Sequence, residues 1–227
     1  MGGMFLLAHA RYVGERARCL QEAVRQLDCI YRCCHKERGL LYHAWSEEKS
    51  TVWADPQTGC SPEVWSKGLG WYALILTETV RALPEGDPDR ARLSARLEEL
   101  LCTLCALQNE EDGLWFQVVD RPEGVDNWTD TSGSAMFIYA LSQAPAAPDR
   151  RSLFQEAARR GMEGVHRRAK PGADGGIDVE CACDGLCVQK SYADYVYYPR
   201  SLNAKEAVGA ALWAAESMER GSLSLLG

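Results

Sequence analysis

A chain of 227 residues that is 46% hydrophobic and 25% charged has ordinary globular composition and a length suited to one domain or perhaps two. Its 25 Lys+Arg against 32 Asp+Glu give a formal net charge of -7, which argues against a general binder of nucleic acid or anionic membrane. No apolar run approaches the roughly 20 residues of a membrane span, and the apolar start Met-Gly-Gly-Met-Phe-Leu-Leu-Ala lacks the basic flank of a signal peptide, so a cytoplasmic protein is expected.

Taken in order, the pattern repeats. A helix rich in small and aromatic residues is followed by a charged amphipathic helix, then by a glycine turn and a short extended apolar stretch. Small-residue helices are expected over 2–12, 69–83, 132–141 and 207–218, and charged ones over 15–35, 88–107 and 151–166. The turns read Arg38-Gly-Leu-Leu-Tyr-His43, Asp112-Gly-Leu-Trp-Phe-Gln117 and Asp174-Gly-Gly-Ile-Asp178. Self-similarity at this scale points to stacked helical hairpins.

The two helix types have different tasks. Leu93, Leu97, Leu100 and Leu101 form one apolar stripe at helical spacing, with Arg92, Arg96, Glu98 and Glu99 off it, as in a helix apolar on one side only. Residues 133–140, Gly-Ser-Ala-Met-Phe-Ile-Tyr-Ala, are nearly apolar all round, as in a helix surrounded by protein. Inner helices ringed by outer ones make an all-α toroid. Residues 1–220 are read as its single domain and 221–227 as a loose tail.

One stretch stands out within this frame. Residues 53–71, Trp-Ala-Asp-Pro-Gln-Thr-Gly-Cys-Ser-Pro-Glu-Val-Trp-Ser-Lys-Gly-Leu-Gly-Trp, carry three tryptophans, two prolines and three glycines into the start of a helix. Proline stiffens and glycine permits tight turns, so this is a rigid aromatic loop on a helical scaffold. Flat tryptophan faces with a nearby cation suit a sugar ring bearing a carboxylate. A purely structural loop is the competing reading.

Other residues are weighed against plainer roles. Asp55 precedes proline and reads as a turn-former; Asp130, before Thr-Ser, reads as a helix N-cap, while the Asp126 loop could reach a pocket. Trp53 and Trp115 are expected in the core, and His9, His35 and His166 in structural positions. Tyr195, Tyr197 and Tyr198 alternate at a strand-like period and are expected to line a loop wall by the pocket. Of the 10 cysteines, Cys102 and Cys105 sit as small apolar residues in a helix. Cys181, Cys183 and Cys187 share a loop, where a metal site lacks a fourth ligand at a zinc spacing. No cofactor and no metal are expected.

An ordered set of segments carries a resemblance. These are Gly39-Leu-Leu-Tyr-His-Ala-Trp45, the run 53–65, Gly68-Leu-Gly-Trp-Tyr-Ala73, Gly113-Leu-Trp-Phe-Gln117, Thr131-Ser-Gly-Ser-Ala-Met-Phe137, Tyr195-Val-Tyr-Tyr198 and Asn203-Ala-Lys-Glu-Ala-Val-Gly209. With them the chain resembles the unsaturated uronyl hydrolases of glycoside hydrolase families 88 and 105, the family 105 rhamnogalacturonyl hydrolases most closely. The resemblance implies an (α/α)6 barrel of six hairpins. It also implies a substrate, an oligosaccharide ending in a Δ4,5-unsaturated uronic acid, whose C4=C5 bond is hydrated by an aspartic acid and water.

Position by position, the resemblance puts His43 on a substrate-contacting histidine and Trp65 and Trp71 on sugar-stacking tryptophans. It puts Lys67 where the family usually has arginine, and Ser66 where it has glycine. Lysine keeps the charge for a uronate but loses the bidentate fork. The family's catalytic aspartate would align just before Met1, so none is expected within this chain. About four inner and three outer helices are read here, so an incomplete (α/α)6 barrel is expected, inactive alone and with apolar edges that favour self-association. Two rivals stay open: a non-catalytic saccharide-binding or scaffold remnant, and a small metal-binding helical protein built on the loop cysteines.

Overall fold

The computed structural model describes residues 2–224, with side chains described through residue 219; Met1 and residues 225–227 lie outside the described residues. Three helical hairpins come first: α1 (Gly2–Tyr12) with α2 (Arg16–Cys34), α3 (Ser66–Ala82) with α4 (Pro88–Ala106), and α5 (Thr131–Gln143) with α6 (Pro148–Arg168). Two short antiparallel pairs follow. β1 (Ala169–Pro171) pairs with β2 (Ile177–Val179), and β3 (Ala182–Cys183) pairs with β4 (Arg200–Ser201). A short helix α7 (Tyr192–Val196) lies between β3 and β4, and α8 (Lys205–Ser224) ends the fold. The helix therefore continues to Ser224, into the stretch expected to be a tail.

Burial separates the two layers as the sequence pattern implies. Outer α2 buries Leu20, Ala23, Val24 and Leu27, and outer α4 buries Leu93, Leu97, Leu100, Leu101 and Leu104, each a single stripe. Inner α5 buries an uninterrupted run from Thr131 to Ile138 and then Ala140 and Leu141. The inner helices pack in succession, α1 on α3, α3 on α5 and α5 on α8, with α2, α4 and α6 behind them. Small residues allow close approach. A Cβ on Gly133 would lie 2.7 Å from Ser66, and one on Gly70 would lie 2.8 Å from Met136, so α3 and α5 are separated by little more than backbone. Inner α1 is the exception: it buries no residue fully and leaves Phe5 70% and Tyr12 75% exposed.

The turns between hairpins repeat one device. Gly39 and Gly113 have φ of 75° and 72°, a region open chiefly to glycine. A Cβ on Gly39 would meet the Leu100 backbone at 2.9 Å, and one on Gly113 would meet the Arg160 carbonyl at 2.5 Å. Each turn is thus seated on the outer helix of the next hairpin. Its extended residues then run inward toward the N-terminal ends of the inner helices.

Helix starts are set locally. Asp87 accepts from Asp89 N at 2.9 Å with Pro88 at the first helical position, and Pro148 likewise opens α6, where Ala147 provides no side-chain cap. The helix expected over 69–83 begins three residues earlier, because Trp65 is the extended N-cap residue and the chain turns helical at Ser66. Lys67 consequently lies in the first turn of α3, not on the preceding loop.

Candidate functional site

The N-terminal ends of α3 and α5 meet strand β3 at one carboxylate. Asp130 is fully buried, and burying an anion is tolerable only when its lone pairs are used. Its Oδ2 accepts from Ser66 Oγ at 3.0 Å, Ser132 Oγ at 2.7 Å and the Gly133 N–H at 2.7 Å, and its Oδ1 accepts from the Cys183 N–H at 2.9 Å. The N-cap read from Asp-Thr-Ser is present, and it also fastens two neighbouring elements.

Lys67 lies beside this joint and is only 2% exposed. Its ammonium donates to the Cys183 carbonyl at 2.7 Å, lies 3.8 Å from Glu206 Oε2, and sits 5.7 Å from the Trp65 ring centre. A cation in the first turn opposes the helix dipole, and these two oxygens offset that cost. The residue is therefore not a solvated loop lysine.

His43 and Trp65 stand over the same end of α3, with ring centres 4.5 Å apart and planes tilted by 48°. The sequence makes room for them at Gly68, where a Cβ would lie 3.1 Å from Trp65 Cε3 and 3.3 Å from His43 Cδ2. The histidine is held from both sides: its backbone N–H donates to the Glu63 carbonyl at 3.1 Å, and its Nδ1 lies 2.8 Å from Tyr195 Oη. Burial pushes the imidazole pKa down to about 4, so the ring is neutral near pH 7. Burial likewise pushes the Tyr195 phenol up to about 12. Gln117 ties the group together, accepting from Trp65 Nε1 at 3.2 Å and donating to Cys183 Sγ at 3.0 Å and to the Tyr195 carbonyl at 3.3 Å.

Three of the four expected substrate-binding residues are thus brought together: His43, Trp65 and Lys67. Trp71 is half-buried along α3 and packs edge-on against Trp213 of α8, with centres 6.3 Å apart. Tyr195, expected by the pocket, and Gln117, which has no such expectation, complete the group. Tyr195 was expected on a strand-like loop wall; it lies in α7, whose N-cap Ser191 accepts from Asp194 N, and is fully buried. Tyr197 and Tyr198 instead tie loops by their hydroxyls, to Asp126 Oδ2 and to the Gly185 carbonyl.

Other carboxylates have settled roles. Asp55 accepts from Gln57 N, Thr58 N and Thr58 Oγ1, the turn-former the sequence suggests, and these bonds hold its pKa low. Asp112 is paired with Arg168 at 2.9 Å and accepts from Thr129 Oγ1 at 2.6 Å. Glu63 is 2% exposed; burial raises its pKa, and Arg121 Nε, 2.9 Å from Oε2, opposes the rise. Trp115 is in the core as expected, whereas Trp53 is only half-buried. Cys183 is buried and Cys187 exposed, and among the described residues no three His, Cys, Asp or Glu side chains are grouped as metal ligands.

Comparison with known proteins agrees with this architecture. The model of Glycosyl Hydrolase Family 88 matches residues 1–222. A glycoside hydrolase of family 105 from C. acetobutylicum has the same helical arrangement, with a TM-score of 0.84 and 26% identity over 96% of this chain and 62% of that one. An unsaturated glucuronyl hydrolase from Bacillus sp. GL1 shares the fold at a TM-score of 0.62 and 16% identity, over 96% of this chain and 55% of that one. Protein Atu3128 of Agrobacterium fabrum and the 24.9 kDa protein in picA locus of Rhizobium radiobacter are each 35% identical over 144 residues, 63% of this chain and 60% of each relative. The chain thus spans about three fifths of the length of the curated relatives it matches. Among the described residues no helix is long and apolar enough to cross a membrane. With its inner and outer helices, its glycine turns and a match running almost from end to end, the chain belongs to Glycosyl Hydrolase Family 88.

Proposed function

We propose that this chain carries the saccharide-binding part of an unsaturated uronyl hydrolase of the rhamnogalacturonyl type. Its ligand is a lyase-generated oligosaccharide with a Δ4,5-unsaturated uronic acid at the non-reducing end. The reaction of such an enzyme adds a proton at C4 and the oxygen of water at C5; the hemiketal so formed opens and releases the remaining saccharide. The observation that carries the reading is the neutral His43 held against the Trp65 face, with the Lys67 charge behind it. An apolar ring face, an N–H donor and a nearby cation suit a planar, anionic unsaturated sugar.

In this reading His43 contacts the saccharide, and Trp65, only 6% exposed, backs the histidine at the sugar site. Lys67 lends its charge through the site wall while its ammonium holds the Cys183 carbonyl, and Trp71 acts farther along α3, beside Trp213. Asp55, Asp112 and Asp130 are committed to structural bonds and Glu63 to Arg121, so none of these four is assigned to protonation at C4. Positioned acid/base groups are typically worth ~10²–10⁴-fold in rate, so residues 1–227 alone bind and do not turn over. The same commitment of carboxylates favours the second reading, a saccharide-binding protein on this fold. A cytoplasmic setting belongs to the proposal, and the free thiols suit a reducing compartment. The test is a tryptophan-fluorescence titration with an unsaturated disaccharide and its saturated twin, while ultraviolet absorbance of the double bond is followed. Selective binding of the unsaturated sugar with absorbance unchanged is expected. Absence of binding would defeat the proposal, and rapid loss of absorbance would show that a carboxyl within the chain is catalytic.

A further inference from the structure

We propose that Glu206 is a specificity-determining residue: its carboxylate answers the Lys67 charge from within the protein, and a saccharide carboxylate gains that charge only by displacing it. Displacement by a saccharide rests on the reading above; the pairing of Glu206 with Lys67 rests on the protein alone.

An ammonium has three protons to give. Lys67 places one on the Cys183 carbonyl at 2.7 Å. The Trp65 ring lies to another side, 5.7 Å to its centre, and Glu206 Oε2 lies at 3.8 Å. That gap is short enough for attraction between opposite charges and too long for a hydrogen bond. The Lys67 side chain is 3% exposed and that of Glu206 36%, so the glutamate is the member of the pair that meets solvent. A solute carboxylate approaching Lys67 from the Glu206 side meets a like charge first.

Glu206 is also loosely held. No described residue hydrogen-bonds its carboxylate. It stands in the first turn of α8, where the helix dipole favours an anion but fixes no orientation. Asp184, a second carboxylate acting on Lys67, is fastened by the Gly185 N–H at 2.8 Å. Of these two, Glu206 is the one that can turn away without breaking a hydrogen bond. A buried ammonium needs a counter-charge. Glu206 supplies it in the free protein, and the ligand's carboxylate takes over that task in the complex. The exchange belongs to the same cluster as the ring contact, because Lys67 lies over Trp65 and Trp65 lies against His43, ring centres 4.5 Å apart.

Calorimetry with an unsaturated uronyl disaccharide and with its methyl ester reads the ratio of the two affinities, in the parent and in Glu206→Gln. Removing the competing charge should raise the preference for the acid about tenfold, the lower end for a hydrogen bond to a charged group. A ratio within about twofold of the parent's overturns the proposal, and a glutamate that serves only the α8 dipole gives that result. A second variant, Glu206→Ala, opens space beside Lys67 and needs no saccharide. With acetate severalfold above its Kd, its melting temperature should rise by about 2–4 °C over chloride of equal ionic strength, with no such rise in the parent. An equal response of the two proteins to acetate overturns the pairing of Glu206 with Lys67. Acetate rescue of Glu206→Ala, with neither disaccharide bound by the parent, would refute displacement by a saccharide and leave the Glu206–Lys67 pairing standing.

Discussion

Replacing Asp130 should damage the fold before it touches any chemistry. In Asp130→Ala, four donors lose their acceptor. The Ser66 and Ser132 hydroxyls can turn elsewhere, but the Gly133 and Cys183 N–H groups cannot. A buried donor left without a partner costs about 1–3 kcal/mol, and loss of an N-cap about 0.5–2 kcal/mol, part of which is the same Gly133 bond. The sum is roughly 3–5 kcal/mol, or a melting temperature lower by about 6–20 °C for a chain of this size. Asp130→Asn keeps the shape and one acceptor oxygen, so it should fall between the parent and the alanine variant. Urea unfolding followed by far-ultraviolet circular dichroism measures both. If Asp130→Ala lies within about 1 kcal/mol of the parent, Asp130 is not the joint between α3, α5 and β3. A stable Asp130→Asn that altered only saccharide chemistry would instead make this carboxylate catalytic.

Three further outcomes follow from the geometry. His43 has its pKa lowered from an ordinary 6.5 to about 4, so the unfolded chain binds the extra proton first. Its contribution to stability is complete above pH 6.5 and is lost as pH falls toward 4, by on the order of 2–3 kcal/mol; a parent protein no more acid-sensitive than His43→Asn over that range would contradict the burial argument. Gly113→Ala adds the left-handed penalty of roughly 1–2 kcal/mol to a Cβ placed 2.5 Å from the Arg160 carbonyl, whereas Gly86→Ala, at φ 85° with no atom within 4 Å, carries the penalty alone. Equal urea midpoints for the two would refute the seating of the turn on α6. Phe5, Tyr12 and Val13 at one edge, and Leu212 and Trp213 on α8, are exposed apolar groups, so sedimentation should show concentration-dependent association that Phe5→Ser with Val13→Ser reduces; a monomer at every concentration that binds no hydrophobic dye would count against it.

Much of the fold is legible because helix layers differ in how far around they are apolar. Leu93, Leu97, Leu100 and Leu101 announce a helix with one wet side, and residues 133–140 announce one with none. The turn glycines are legible too, since Gly39 and Gly113 recur at the same point of each unit. The site is legible only in part. Asp130-Thr-Ser betrays a cap because the cap is local, whereas the Tyr195 hydroxyl meets His43 across 152 residues, which no spacing rule reaches. The run Tyr195-Val-Tyr-Tyr also has no single period, so a one-turn helix set by Ser191 looks extended from its tyrosines alone. The burial of Lys67 is hidden for a related reason: its partner is a backbone carbonyl 116 residues away, invisible to side-chain patterns.

The most direct test of the central claim, that the His43–Trp65 pair is a saccharide site, is isothermal calorimetry of an unsaturated uronyl disaccharide with the parent protein and with His43→Ala. A neutral hydrogen bond contributes about 0.5–1.5 kcal/mol, so the variant should bind several-fold to about tenfold more weakly while its unfolding midpoint at pH 7 stays close enough to the parent's for both to be fully folded. Equal affinities in two folded proteins, or no heat of binding from the parent, would contradict the account.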